Sequence, residues 1–290
     1  MTKMENFLNS IVYNLHEDIL IQEANRSEIL QALKDKREGK NKIKESGMKV
    51  LKIAEPNAKI DHYSLSLPSG YTCCGADECL SYAGRTTGSK IRDGKNTKYR
   101  CFAATDEHRF KKNVGEPRWN NFDLIKNTIK DFGVDAAAEL INTSIENSPA
   151  SVDSVFRIHV GGDFFSQEYF DAWVKVANMN PDRIYYTYTK SIPFWIKRLG
   201  SIPDNFQLNA SLGGKYDDMV EEYGLKTAKV VFSVEEAESL GLEIDTNDDL
   251  AWSQDESFAL LLHGQQPKDS EARDALGKLR KSGIKGYSRD

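Results

Sequence analysis

Val155-Phe-Arg-Ile-His-Val160, then Gly161-Gly-Asp-Phe-Phe165, then Ser166-Gln-Glu-Tyr-Phe-Asp-Ala-Trp-Val-Lys-Val176 reads as one strand, one turn and one capped helix. The apolar run is short enough for a buried strand, and the paired glycines turn the chain after it. Ser166 supplies an N-cap oxygen, and Tyr169, Phe170, Trp173 and Val176 repeat at helical spacing. Working outward, the same unit recurs. His62–Leu67, Arg183–Tyr188, Phe206–Ser211, Ala228–Ser233 and Phe258–His263 read as strands. Helices are expected over Phe122–Phe132, Asp135–Ser148, Pro193–Leu199, Tyr216–Tyr223, Val234–Leu240 and Ser270–Lys281. Six strands alternating with helices define an α/β protein with a parallel sheet, either an open doubly wound sheet or a partial barrel.

Right-handed crossovers put every loop that follows a strand on one rim, where such folds carry their sites. The loops there are chemically rich. The first holds all four cysteines of the chain, Cys73, Cys74, Cys79 and Cys101. The others bring Gly161-Gly162-Asp163, Thr189-Lys190-Ser191, Asn209 with Ser211, Ser233, and His263-Gly264. Thiols gathered after a strand, without secretory features, favour a metal or iron-sulfur site over a disulfide framework. Zinc is the nearest rival, although adjacent Cys73-Cys74 lacks the paired Cys-x-x-Cys knuckles of zinc ribbons. His159 lies inside a strand and reads as a packed core histidine, whereas His263 ends one. Tyr185, Tyr186 and Tyr188 read mainly as packing, and Phe164-Phe165 as cover for the core.

The 290 residues carry a net charge of −5, with 39% hydrophobic and 29% charged residues, which suits a globular protein and excludes a fibre or a disordered chain. The charge is uneven. Between Arg85 and Arg118 ten Lys/Arg stand against four Asp/Glu, a local balance of +6 that leaves −11 elsewhere. Such a segment is either a solvated loop or the partner of an anion, a small-molecule phosphate or a nucleic-acid backbone. No apolar run approaches the roughly 18 residues of a membrane helix, and the start lacks a signal-peptide core, so a cytoplasmic protein without a membrane partner is expected. Residues 1–47 read as an N-terminal helical extension, a hairpin with stripes such as Phe7, Leu8, Ile11 and Leu15. Residues 1–45 are a candidate surface for a protein partner. Residues 48–290 form the α/β domain, with a cysteine-rich and basic insertion at about 71–120.

The cysteine loop after a first strand, Gly-Gly-Asp163 after a second and the polar end of a fourth resemble the radical S-adenosylmethionine enzymes. More narrowly, Cys79-Leu-Ser-Tyr82-Ala83, Gly-Gly-Asp163-Phe-Phe with downstream Trp173, and Tyr188-Thr-Lys190-Ser are similar to bacteriophage proteins of the gene-product-88 type, over about residues 62–265. The resemblance implies a partial (β/α)6 barrel-like parallel sheet, a [4Fe-4S] cluster and S-adenosylmethionine. It implies Cys73, Cys79 and Cys101 as metal ligands, and Gly161, Gly162, Asp163, Asn209 and Ser211 as cofactor-binding residues. Lys190 and His263 are its candidates for catalysis. The chain departs from the family's compact Cys-x-x-x-Cys-x-x-Cys pattern: five residues separate Cys73 from Cys79, and Tyr82 stands where a third cysteine would fall. Cys101 is then the replacement, brought back by the insertion. Three thiolates leave one iron open for a ligand; four would close the site. The function expected is a phage iron-sulfur enzyme acting on an anionic substrate in the host cytoplasm. The alternatives are a nucleic-acid-binding or processing protein with a structural metal, zinc included, and a non-catalytic interaction protein on a degenerate barrel.

Overall fold

Short apolar runs that alternate with capped helices build one sheet, and its order follows the chain except at one edge, where the last two strands are exchanged. The computed structural model describes residues 50–284 apart from 58, 59 and 87. The helical extension expected over residues 1–47 therefore lies outside the described residues. Eight strands lie in one sheet: β1 (Ile53–Ala54), β2 (Tyr63–Leu65), β5 (Val155–Ile158), β6 (Ile184–Thr189), β7 (Phe206–Ser211), β8 (Thr227–Val231), β10 (Phe258–Leu261) and β9 (Glu243–Asp245), in that spatial order. All neighbours pair in parallel except β1 with β2. The six strands expected from sequence sit side by side in chain order, as a singly wound sheet requires, and the doubly wound alternative is set aside. A separate antiparallel ribbon joins β3 (Ser81–Tyr82) to β4 (Arg92–Asp93).

Helix α1 is Phe102–Arg109, followed by a π-helical turn at Lys111–Gly115. Helix α2 runs from Glu116 to Glu146 but breaks at Gly133, whose φ of 83° suits a residue without a Cβ. That break is the gap expected between the helices ending at Phe132 and starting at Asp135. The remaining helices are α3 (Gln167–Met179), α4 (Ile192–Ile196), α5 (Asp217–Glu222), α6 (Val234–Ser239), α7 (Asp249–Ser253) and α8 (Glu271–Lys281). Ser166, Ser233 and Ser270 cap α3, α6 and α8 by accepting the backbone N–H three residues on. Ser166→Ala is expected to cost about 1 kcal/mol, read as a lower urea midpoint at unchanged slope.

Strand alternation divides the sheet chemically. One face carries Leu65, Phe156, Ile158, Tyr185, Phe206 and Leu208 into the main core, where Ile125, Ile141, Phe170 and Trp173 of α2 and α3 cover them. The opposite face carries Arg157, Tyr186, Tyr188 and Asn209, and α7 lies over it through Ala251 and Trp252. There the Asp248 carboxylate pairs with Arg157 and accepts from the hydroxyls of Tyr186 at 2.9 Å and Tyr188 at 2.7 Å. Tyr186 and Tyr188 thus hold a buried charge pair as well as packing, a role their sequence alone does not reveal. His159 behaves as expected of a core histidine: its Nε2 meets the Tyr169 hydroxyl at 2.9 Å, and burial first, then Arg157, pushes it down to about 3. Among the described residues no helix is long and apolar enough to cross a membrane.

Candidate functional site

The loop after β2 folds across the ends of β5, β6 and β7, held by its backbone. Gly75 passes so close to β6 that an added Cβ would lie 1.8 Å from the Lys190 carbonyl oxygen. Its own carbonyl accepts from Lys215 N at 2.9 Å, and Glu78 N donates to Gly213 O at 3.0 Å. Gly162, at φ 84°, leaves room beneath the loop, where its Cβ would strike Leu67 and Thr72. Asp163 N then donates to Thr72 Oγ1 at 3.1 Å. The cysteine loop and the Gly161-Gly162-Asp163 turn are therefore in direct contact, as their positions after adjacent strands require.

The four cysteines separate into three and one. Cys73, Cys79 and Cys101 lie within electrostatic reach of one another: the first feels both others, and Cys101 feels Cys79. Burial is the main cause that raises all three thiols. It lifts Cys101 to about 12, and the neighbouring thiols and Asp163 add repulsion at Cys73. At Cys79 the Lys190 ammonium opposes the rise. Cys74 turns elsewhere, its sulfur 3.4 Å from Ser191 Oγ and 3.5 Å from Phe164 O. Among the described residues no three His, Cys, Asp or Glu side chains form a group that could hold a metal ion.

Cys101 reaches the other two by a route that the sequence does not display. The β3–β4 ribbon carries the chain out and back, and Cys101 N donates to Ser81 Oγ at 3.2 Å. Gln266, after β10, clamps the preceding peptide from both sides: Arg100 N donates to its Oε1 at 2.8 Å, and its Nε2 donates to Arg100 O at 3.2 Å. Phe102 packs on His263 with ring centroids 4.5 Å apart. His263 is thereby placed beside the Cys101 segment.

The other expected site residues are largely taken up in holding strand ends together. Asp163 is 4% exposed, and its carboxylate accepts from Phe164 N, Thr189 Oγ1 and Lys190 N at 2.7–2.8 Å. Burial raises its carboxyl, while those donors pull it back. Lys190 donates to Ser211 O, Ser211 Oγ and Leu212 O at 2.5–2.8 Å, which ties β6 to β7. Asn209 donates to Thr187 O and Ala251 O, while its Oδ1 is buried without a hydrogen-bond partner among the described residues. Arg118, one of the ten basic residues of the insertion, is buried against Glu107, whose carboxylate also takes the N–H and hydroxyl of Ser69. It is a fold contact and is unavailable to a phosphate.

A cavity of about 600 Å³ opens at the ends of β7 and β8, walled by Leu212, Gly213, Val230, Phe232, Glu78 and Tyr99. Tyr99 packs edge-on to Phe232, centroids 6.1 Å apart, and its hydroxyl is hydrogen-bonded to Cys79. One wall of the cavity therefore touches the thiol group. Nothing in the sequence ties Tyr99 to Cys79, and Gln266 carries no signal at all.

Fold and site define a mostly parallel α/β protein with three half-buried thiols at the strand-end rim. The family model for gene product 88 matches residues 28–281, and the chain belongs to that family. The Gene 88 protein of Mycobacterium phage L5 is 30% identical over 91 residues, which spans 31% of this chain and 38% of that relative. No solved structure matches the chain.

Proposed function

We propose that this protein is an iron-sulfur enzyme of the radical S-adenosylmethionine type, with Cys73, Cys79 and Cys101 as the ligands of a [4Fe-4S] cluster. The observation that supports the reading is that Cys73, Cys79 and Cys101 lie within electrostatic reach of one another, with Cys74 turned to Ser191. The donor set suits a cluster with one open iron. The sequential strand order suits a partial (β/α)6 barrel.

When bound, the cluster and S-adenosylmethionine would supply one-electron radical chemistry, the electron coming from an external reductant. The chain's own part is to bind, orient and exclude water. Gly161 gives its N–H to Ser66 Oγ at 3.4 Å and takes Leu67 N on its carbonyl at 2.8 Å, so it positions the turn and leaves Gly162 to offer backbone to the cofactor, while Asn209 Oδ1 is a buried acceptor still lacking a donor. Asp163, Lys190 and Ser211 act as positioning residues that fix the rim, and the Lys190 charge favours the thiolate of Cys79. Tyr99 carries a hydrogen bond to that sulfur and shields it along the cavity wall.

Anaerobic purification with iron, sulfide and zinc analysis tests the reading. About four irons and four sulfides per chain are expected, lost in Cys79→Ser and kept in Cys74→Ser. One zinc per chain, or no metal, would overturn it.

A further inference from the structure

The basic insertion divides once it is folded. Arg85, Lys98, Arg100 and Arg118 pair with Asp123, Glu78, Asp93 and Glu107, and Lys111 donates to Gly84 O. Arg92, Lys95 and Lys112 are exposed elsewhere on the segment, while Lys90 and Arg109 line one cavity of about 660 Å³, separate from the one at the ends of β7 and β8. Lys90 comes from the β3–β4 turn, Arg100 from the segment before Cys101, and Thr105, His108 and Arg109 from one face of α1. No carboxylate lines it among the described residues. Arg100 is paired with and held in place by Asp93, so Lys90 and Arg109 contribute the two unpaired charges. Two positive charges match one phosphate monoester, which carries about −1.5 to −2 at neutral pH, or two successive phosphodiesters. A second feature adjoins this one: the Arg109 guanidinium lies 5.1 Å from the ring centroid of Phe110, which is 46% exposed. A large aromatic beside a basic hollow is the combination that takes a base on its face while the phosphate is gripped.

We propose that this cavity is a nucleotide site, in which Lys90 and Arg109 hold phosphate and Phe110 receives the attached base. It deepens the proposed function by naming the substrate class, and rests on that reading only for the site's part in catalysis. The phosphate chemistry is shared by free nucleotides and by single-stranded nucleic acid, and the test separates them.

Full-length protein, purified anaerobically, is titrated with adenosine monophosphate and with a single-stranded 12-mer at several salt concentrations; the Cys79→Ser variant is titrated alongside. At least one probe should bind, in both proteins. Lys90→Ala/Arg109→Ala should weaken binding at least tenfold, and Phe110→Ala should weaken it too. Both cations are exposed, so circular dichroism should be unchanged. If the 12-mer binds more tightly and the double variant lowers its salt slope by about 1.4, the ligand is the polymer; equal affinity for the monophosphate assigns the free nucleotide. Failure of both probes, or binding unaffected by the double variant, overturns the site. Nucleotide binding by a protein without iron would leave this site standing and remove the radical chemistry, while iron without nucleotide binding would do the reverse.

Discussion

Asp248→Ala is expected to destabilise the protein by about 3–5 kcal/mol, a large share of the roughly 5–15 kcal/mol that holds a domain folded. Asp248 is wholly buried, and Arg157 opposite it is 6% exposed. Removing the carboxylate leaves a guanidinium without its counter-charge and two phenols, Tyr186 and Tyr188, without their acceptor. The loss is the desolvation penalty of the stranded charge more than the attraction itself. Asp248 also sits at φ 70°, where alanine is strained and asparagine is tolerated. Asp248→Asn should therefore cost less than alanine. The check is a cycle of urea unfolding curves: Arg157→Met/Asp248→Ala should be less destabilised than the sum of its single variants. Additive losses would mean that the two side chains act independently, contrary to the geometry.

Gly75→Ala is expected to undock the cysteine loop, at about 3 kcal/mol or more, the upper end of overpacking costs. The obstacle is backbone: the new methyl would meet the Lys190 carbonyl oxygen at 1.8 Å and its carbon at 2.5 Å, neither of which can swing aside. Lys190 N is at the same time donating to Asp163, so any shift of that peptide loosens the Gly161-Gly162-Asp163 turn. Thiol labelling under native conditions reports this directly. In the wild type Cys74 should react first, because it is the exposed thiol, while Cys73, Cys79 and Cys101 lag. In Gly75→Ala the three should react at rates approaching that of Cys74. Gly277, inside α8 with open space around it, provides the control: Gly277→Ala should be neutral or stabilising by up to about 1 kcal/mol. Unchanged labelling in Gly75→Ala would show that the close approach does not govern the loop.

The sequence by itself determined the parts of this protein that are written in local pattern. Six strands, the Ser166 cap and the break at Gly133 follow from side-chain period, capping chemistry and a single glycine, all of which act within a few residues. The strand-end loops were legible for the same reason, since right-handed crossovers put them on one rim whatever the details. Among the strands of two or three residues, β2 was legible because it sits in the longer run His62–Leu67, whereas β1, β3, β4 and β9 were too short to show a period.

Tertiary structure alone decided which side chains meet. Arg157 and Asp248 are 91 residues apart, and Arg100 and Gln266 are 166 apart, separations at which no local pattern carries information. It also decided what the basic segment can do, because a charge count does not distinguish Arg118, buried on Glu107, from Arg109, open to solvent beside Phe110. The grouping of the cysteines has the same origin. Adjacent Cys73 and Cys74 point to different partners because the Gly75 contact and the Ser191 hydroxyl orient the loop, while the β3–β4 ribbon and Gln266 bring Cys101 back to it. Burial and long-range hydrogen bonding, which depend on the whole fold, set that arrangement.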